Sequence, residues 1–155
     1  MKLAVAAAFG ALFDRAAVAA LNDLEVDLSE IHVGQQILIN ANGIPVLIWR
    51  RPDDAIRRAK AILAGLRHPE TDEVRIVRPE WLVVIPICPH ERVIIQPNSV
   101  GGATFCCPYC ASRFDESGRI LQGPAERNLS LPVYTFAGRS TLLLQIPVVE
   151  RAHVP

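Results

Sequence analysis

No charge of either sign predominates in this chain: 16 lysines and arginines face 16 aspartates and glutamates, with no basic stripe. That removes the electrostatic footprint of a nucleic-acid-binding protein, and nucleic acid is not expected as a partner. Internal repeats and low-complexity tracts are absent, which excludes solenoids and disordered linkers. Long apolar runs are absent too. The N-terminal stretch Leu3 to Phe13 is alanine-rich and apolar, yet it stops at Asp14-Arg15, well short of the roughly 20 residues a helix needs to cross a bilayer. Preceded by Lys2, with no twin-arginine signal, it suits four roles: the apolar part of a signal peptide, a membrane-surface helix, the remainder of a shortened anchor, or a helix on the protein's own core. No nucleophile–base pair, phosphate loop or carboxylate dyad stands out, so hydrolase and transferase chemistry has no support, and His32, His68 and His153 are expected at the surface.

What the chain does have is an apolar half and 155 residues, enough for one domain with a real core. After Ala16 to Leu21 the texture becomes strand-like. Gln36 to Asn40 and Pro45 to Arg50 flank Asn42-Gly43, a strong hairpin signal. Pro52-Asp53-Asp54 opens a helix, with Ile56, Ala59, Ile62 and Leu63 at helical spacing and Gly65 as its stop. Trp81 to Ile85 is a continuous apolar run of the kind buried on both faces. From Pro86 to Gly123-Pro124, proline, glycine and cysteine become dense, with Val93-Ile94-Ile95 as a short strand between turns. Val133 to Phe136 and Thr141 to Leu144 then form a closing hairpin. These features predict a mainly β fold: an antiparallel body with a helical insertion, a small loop-built lobe over about 86–125, and a short N-terminal helix. The expected division is 1–22 for the N-terminal helix and alanine-rich hinge, and 23–155 for the domain.

The chemistry sits in two boxes, Cys88-Pro89-His90 and Cys107-Pro108-Tyr109-Cys110, separated by Gly101-Gly102. Each presents two ligand-type side chains at a proline-stiffened loop. Four soft or borderline donors arranged two and two suit either zinc or an iron–sulfur cluster. Unligated thiols are the bland alternative. Adjacent cysteines, however, make a poor disulfide framework, and they rarely gather without a metal or redox reason.

With Ser112, Phe114-Asp115, Ser117-Gly118-Arg119, Gly123-Pro124-Ala125 and Asn128-Leu129 following in order, these boxes resemble the Rieske pattern. More narrowly, the chain is similar to the Rieske iron–sulfur subunit of cytochrome bc complexes (ubiquinol–cytochrome c reductase). Val26-Asp27-Leu28, Val33-Gly34-Gln35, Thr71-Asp72-Glu73 and Pro79-Glu80-Trp81 extend the likeness over roughly Asp23 to Gln145. The resemblance implies a Rieske-type β-sandwich and a 2Fe–2S cluster held by Cys88, His90, Cys107 and Cys110, with Ser112 hydrogen-bonding a bridging sulfide. It also makes Ala16 to Leu21 the hinge of a mobile head. Family members hold one iron with two cysteines and the other with two histidines, so Cys110 here stands where the second histidine is expected. The positions of the loop disulfide are Val93 and Tyr109, and the tyrosine that donates to a cysteine sulfur is Phe114. A thiolate replacing an imidazole, together with a missing phenol hydrogen bond, predicts a lowered potential, and the single remaining imidazole predicts weaker proton coupling. Cys106, where the family carries an aromatic or apolar residue, is expected to be a buried core thiol.

The expected function is one-electron transfer as a subunit of a quinol–cytochrome c reductase-like complex, not catalytic alone. Cytochrome b and cytochrome c-type subunits would be its partners, and quinol a candidate reactant. Its place would be an energy-transducing membrane, bacterial inner or mitochondrial inner, with the head on the periplasmic or intermembrane side. Two alternatives differ in class. One is a degenerate relative kept as a structural or assembly subunit, with zinc or no metal. The other is a Rieske ferredoxin of an oxygenase, which the helical insertion, the Gly-Pro-Ala turn and the hydrophobic N-terminus disfavour.

Overall fold

The fold is that of a computed structural model, which describes residues 21–62, 64–97 and 104–147. The expected N-terminal helix lies outside them, as does His153. Among the described residues no helix is long and apolar enough to cross a membrane.

Among the described residues the strands form three antiparallel sheets. The first orders its strands β1 (Leu21–Asp27), β10 (Thr141–Pro147) and β9 (Val133–Ala137). The second places β2 (Gln36–Ala41), β3 (Ile44–Arg50) and β4 (Trp81–Val84) side by side. The third joins four short strands, β5 (Gln96–Pro97), β6 (Phe105–Cys106), β7 (Arg113–Phe114) and β8 (Ile120–Gln122). The β2–β3 hairpin turns at Asn42 and Gly43, both at positive φ (52° and 89°), as a two-residue primed turn requires. Strand β1 begins at Leu21, inside the stretch that the sequence reads as hinge.

The second sheet is the middle layer, and its alternation shows why. Val46, Ile48, Trp81 and Val83 share one core with Leu142, Leu144 and Ile146 of the first sheet. Leu47, Trp49, Leu82 and Val84 point the other way, into a second core with Phe105, Phe114, Ile120 and the cysteines Cys88 and Cys107. Successive strand side chains face opposite sides, so a strand between two layers must be apolar at every position. All four residues of β4 are buried accordingly.

Between β3 and β4 runs the helical insertion, with α1 (Asp53–Ala61) and α2 (Asp72–Arg75). Helix α1 stops at Ala61, short of the Gly65 that the sequence suggests. Ile62 is extended (ψ 97°), and its carbonyl accepts from the Arg119 guanidinium at 3.3 Å. Arginines bolt this insertion to the β7–β8 turn. Arg51 forms a bidentate pair with Asp72 at 2.7 and 3.2 Å, and Ser117 Oγ donates to the same carboxylate. Arg75 donates to the Ser117 and Leu129 carbonyls at 2.7 and 2.6 Å. Arg119 pairs with Asp115 at 2.7 Å and reaches back to the Ala59 carbonyl at 2.6 Å.

Burial pushes the Asp72 carboxyl up, but Arg51 and Ser117 outweigh it and hold the group below the usual aspartate range. A depressed folded-state value contributes stability that is present above the unfolded value and is lost as pH falls through the folded one. The unfolding temperature is therefore expected to drop as pH falls below about 4. Asp72→Asn should be less stable at neutral pH and show a flatter acid limb in thermal melts.

Candidate metal centre

Two loops built to one plan form the tip of the third-sheet lobe. In the first, the Cys88 amide donates to the Val93 carbonyl (2.8 Å), and the Cys88 carbonyl accepts from the Arg92 amide (2.9 Å). In the second, the Cys107 amide donates to the Ser112 carbonyl (2.8 Å), and the Cys107 carbonyl accepts from the Ala111 amide (3.1 Å). Each turn closes through a residue in the left-handed region, Arg92 at φ 57° and Ala111 at φ 54°. A side chain there costs on the order of 1–2 kcal/mol, so both turns are held by their hydrogen bonds and by the core beneath. That core holds Cys88 and Cys107 fully buried, while Val93 and Cys110 pack against its edge.

Donors from both loops converge. The sulfurs of Cys88, Cys107 and Cys110 lie within 4.8 Å of one another, with Cys88 Sγ and Cys110 Sγ 3.7 Å apart. His90 stands on the outer side: its ring nitrogen, a Glu91 carboxylate oxygen and Cys110 Sγ also lie within 4.8 Å of one another. The site is therefore layered. Cys88 and Cys107 sit on the core side, His90 on the solvent side, and Cys110 links the two groups. Tyr109, at the disulfide position, is 77% exposed, and all four cysteines are free thiols.

Local electrostatics separate the thiols. Burial pushes Cys88 up to about 11, against donation from the backbone amides of Glu91 and His90. At Cys110 burial also pushes upward, but the Ser112 hydroxyl and amide, then Cys107 and Cys88, outweigh it and bring the thiol down to about 7. Cys110 is thus readier than Cys88 to ligate as thiolate at neutral pH.

Ser112 is wholly buried, and its orientation is determined by its neighbours. Its Oγ accepts from the Ala125 amide at 3.0 Å and lies 3.1 Å from Cys110 Sγ. With an N–H filling its acceptor side, the hydroxyl proton is free to point at sulfur. The Gly123-Pro124-Ala125 turn that supplies the amide is itself gripped by Arg67 of the insertion, which donates to the Gly123 and Ala125 carbonyls. Contact here is tight. A Cβ on Gly123 would fall 2.5 Å from Ser112 Cα and 2.7 Å from its Oγ, at a φ of 112°. Gly123→Ala is expected to cost about 3 kcal/mol and to lower metal content. Gly138→Ala, where a Cβ meets nothing within 4 Å, should cost only about 1–2 kcal/mol of backbone strain and leave metal content intact. Chemical denaturation and metal analysis of both variants check this.

The structure brings together the ligand candidates Cys88, His90, Cys107 and Cys110 with Ser112, and it leaves His32 and His68 exposed. Cys106 departs from expectation. Strand alternation puts Phe105 in the core, so Cys106 faces the opposite side of β6, half-buried between Gln96 and Arg113. Phe114 fills the core with no exposure and no hydroxyl to offer. The parts played by Glu91 and Arg67 were not anticipated, and Gly123 was singled out only as a member of the Gly123-Pro124-Ala125 turn. Glu91 had one signal in the sequence, its place beside His90.

A β body bearing two matched ligand loops beside a helical insertion defines a class of small metal-binding redox domain. Residues 24–137 match the model of the Rieske [2Fe-2S] domain, and the chain belongs to that family. It is 45% identical over 128 residues to a protein of Zea mays called "Cytochrome b-c1 complex subunit Rieske, mitochondrial", and 44% identical to the protein of the same name from Solanum tuberosum. Each alignment covers 82% of this chain, and the chain spans about half the length of these relatives (47% and 48%). Among solved structures, a chain from a hyperthermophilic respiratory Complex III shares the fold, with a TM-score of 0.53 at 22% identity. That match covers 83% of this chain and 80% of the other. The cofactor of the family is a [2Fe-2S] cluster, and the convergent thiol and imidazole donors fit one.

Proposed function

We propose that this chain is the electron-carrying head of a quinol–cytochrome c reductase-like respiratory complex, with its cluster held by Cys88, His90, Cys107 and Cys110. The observation that carries this reading is the layered convergence of donors from both loops, with two buried cysteines inward and His90 with Cys110 outward. A 2Fe–2S cluster bound there supplies one-electron storage. The protein's own contribution is to exclude water on the inner side through Cys88 and Cys107 and to leave the His90 edge open to a redox partner. Cytochrome b and cytochrome c-type subunits are the partners this role calls for, in an energy-transducing membrane with the head on its periplasmic or intermembrane side. Ser112 acts on Cys110 through its hydroxyl.

Iron, sulfide and zinc analysis of anaerobically purified protein, with an EPR spectrum after dithionite, tests the assignment. About two irons and two sulfides per chain with a reduced 2Fe–2S signal is the expected result. Stoichiometric zinc and no signal would instead indicate a structural subunit, since three thiolates and one imidazole also suit tetrahedral zinc. Decylubiquinol oxidation in a reconstituted complex tests whether the chain supports direct quinol chemistry.

A further inference from the structure

Glu91 has no place in the ligand set proposed above, yet its carboxylate faces that set. Its Oε1 lies 2.9 Å from His90 Nδ1, and both groups lie within 4.8 Å of Cys110 Sγ. Two donors bound to one ion at about 2.0–2.3 Å each stand roughly 3–4 Å apart, so this triad matches the span of a single ion. An ordinary surface ion pair would explain the His90 contact alone. It would not explain why the same carboxylate also falls within reach of the sulfur. Among the described residues, Glu91 pairs with no lysine or arginine that would hold it elsewhere. The turn of the first loop accounts for the placement. Arg92, in the left-handed region, folds the chain back so that its amide meets the Cys88 carbonyl, which sets residues 90 and 91 side by side on the outer edge.

We propose that Glu91 is a reserve ligand for the outer metal position, able to take the place of His90 beside Cys110. This inference rests on the ligand assignment above. In the exchange, a carboxylate oxygen donates its lone pair to the position the imidazole nitrogen leaves. No electron is transferred, and the donor set gains one negative charge. Carboxylate oxygen and imidazole nitrogen are both accepted by first-row metals in such sites. The outer position therefore has two candidate donors from the first loop, whereas the inner position has one, Cys88.

The test is metal content, by mass spectrometry and sulfide assay, with EPR of the dithionite-reduced protein, in wild type, His90→Ala, Glu91→Gln and the double variant. Both side chains are exposed, so neither truncation removes core; far-UV circular dichroism confirms folding, and His90→Leu substitutes if the alanine variant fails. His90→Ala is expected to retain metal, with altered g-values, whereas the double variant should bind it about tenfold or more weakly. Equal metal in the single and double variants, whether high or low, overturns the proposal. A wild type with metal but equal variants sinks only the role of Glu91; a wild type without metal sinks the ligand assignment as well.

Discussion

Cys110→His is expected to raise the midpoint potential of the centre by roughly 200 mV or more, toward the Rieske range of about −150 to +300 mV and away from the −400 mV typical of all-cysteine plant-type clusters. The sign follows from charge. A thiolate brings one more negative charge to the donor set than a neutral imidazole does, and that charge stabilises the oxidised state. A coordinating thiol is deprotonated outright, so Cys110 would bring its full negative charge to a bound cluster. The Ser112 hydroxyl, 3.1 Å from Cys110 Sγ, offsets part of this negative charge, but Phe114 has no hydroxyl to add a second hydrogen bond. An EPR-monitored titration of wild type and variant checks the shift. A wild-type midpoint near +300 mV, or coincident midpoints for the two proteins, would remove the charge argument.

Arg119→Ala should destabilise the domain by about 3–5 kcal/mol. Arg119 and Asp115 are both completely buried. Truncating the arginine leaves a buried carboxylate without its counter-charge, and burial already pushes the Asp115 carboxyl above the ordinary value against the pull of Arg119. The loss extends beyond the pair. The guanidinium also satisfies the Ala59, Ile62 and Glu70 carbonyls, so the end of α1 would lose these carbonyl partners. Lys60→Ala is the appropriate contrast. Its 3.8 Å contact with Glu73 is solvent-exposed on both sides, and its removal should change stability by less than about 1 kcal/mol. Urea unfolding of both variants measures the difference, and similar midpoints would mean that the arginine bolts add little to holding the insertion.

Much of this architecture was legible from local chemistry. Asn42-Gly43 announced the β2–β3 turn because few other residues tolerate two positive φ values in succession. The apolar run at Trp81 fitted a strand between two layers, which β4 is. The misses have two causes, a partner distant in sequence or a segment too short or too tightly turned to show a pattern. Helix α1 ends where Arg119 captures a carbonyl 57 residues away. Helix α2 is four residues long, too short to show a period. The strand expected at Val93 to Ile95 is reduced to the single bridge Ile87–Ile94, because the chain is turning to close the first loop. At the site, residue types and spacing singled out the four ligand candidates, and Ser112 came from the family resemblance alone. The inward face of β6 was not found: Phe105 occupies it, which turns Cys106 outward. The approach of Glu91 to Cys110 was equally hidden, because it depends on how one loop lies against the other.

The two ligand loops repeat one another bond for bond, and in neither does a ligand side chain contribute to the backbone hydrogen bonds that close the turn. Those main-chain bonds are therefore available whichever donor each position carries, although the Cys88 and Cys110 sulfurs also accept loop amides. A histidine can become a cysteine while the frame stays put, so the electronic character of such a centre can drift by single substitutions without passing through an unfolded intermediate sequence. For protein engineering the same independence makes the pair a socket: donor identity at positions 90 and 110 is a variable to be set for a chosen potential, and the scaffold around it a constant.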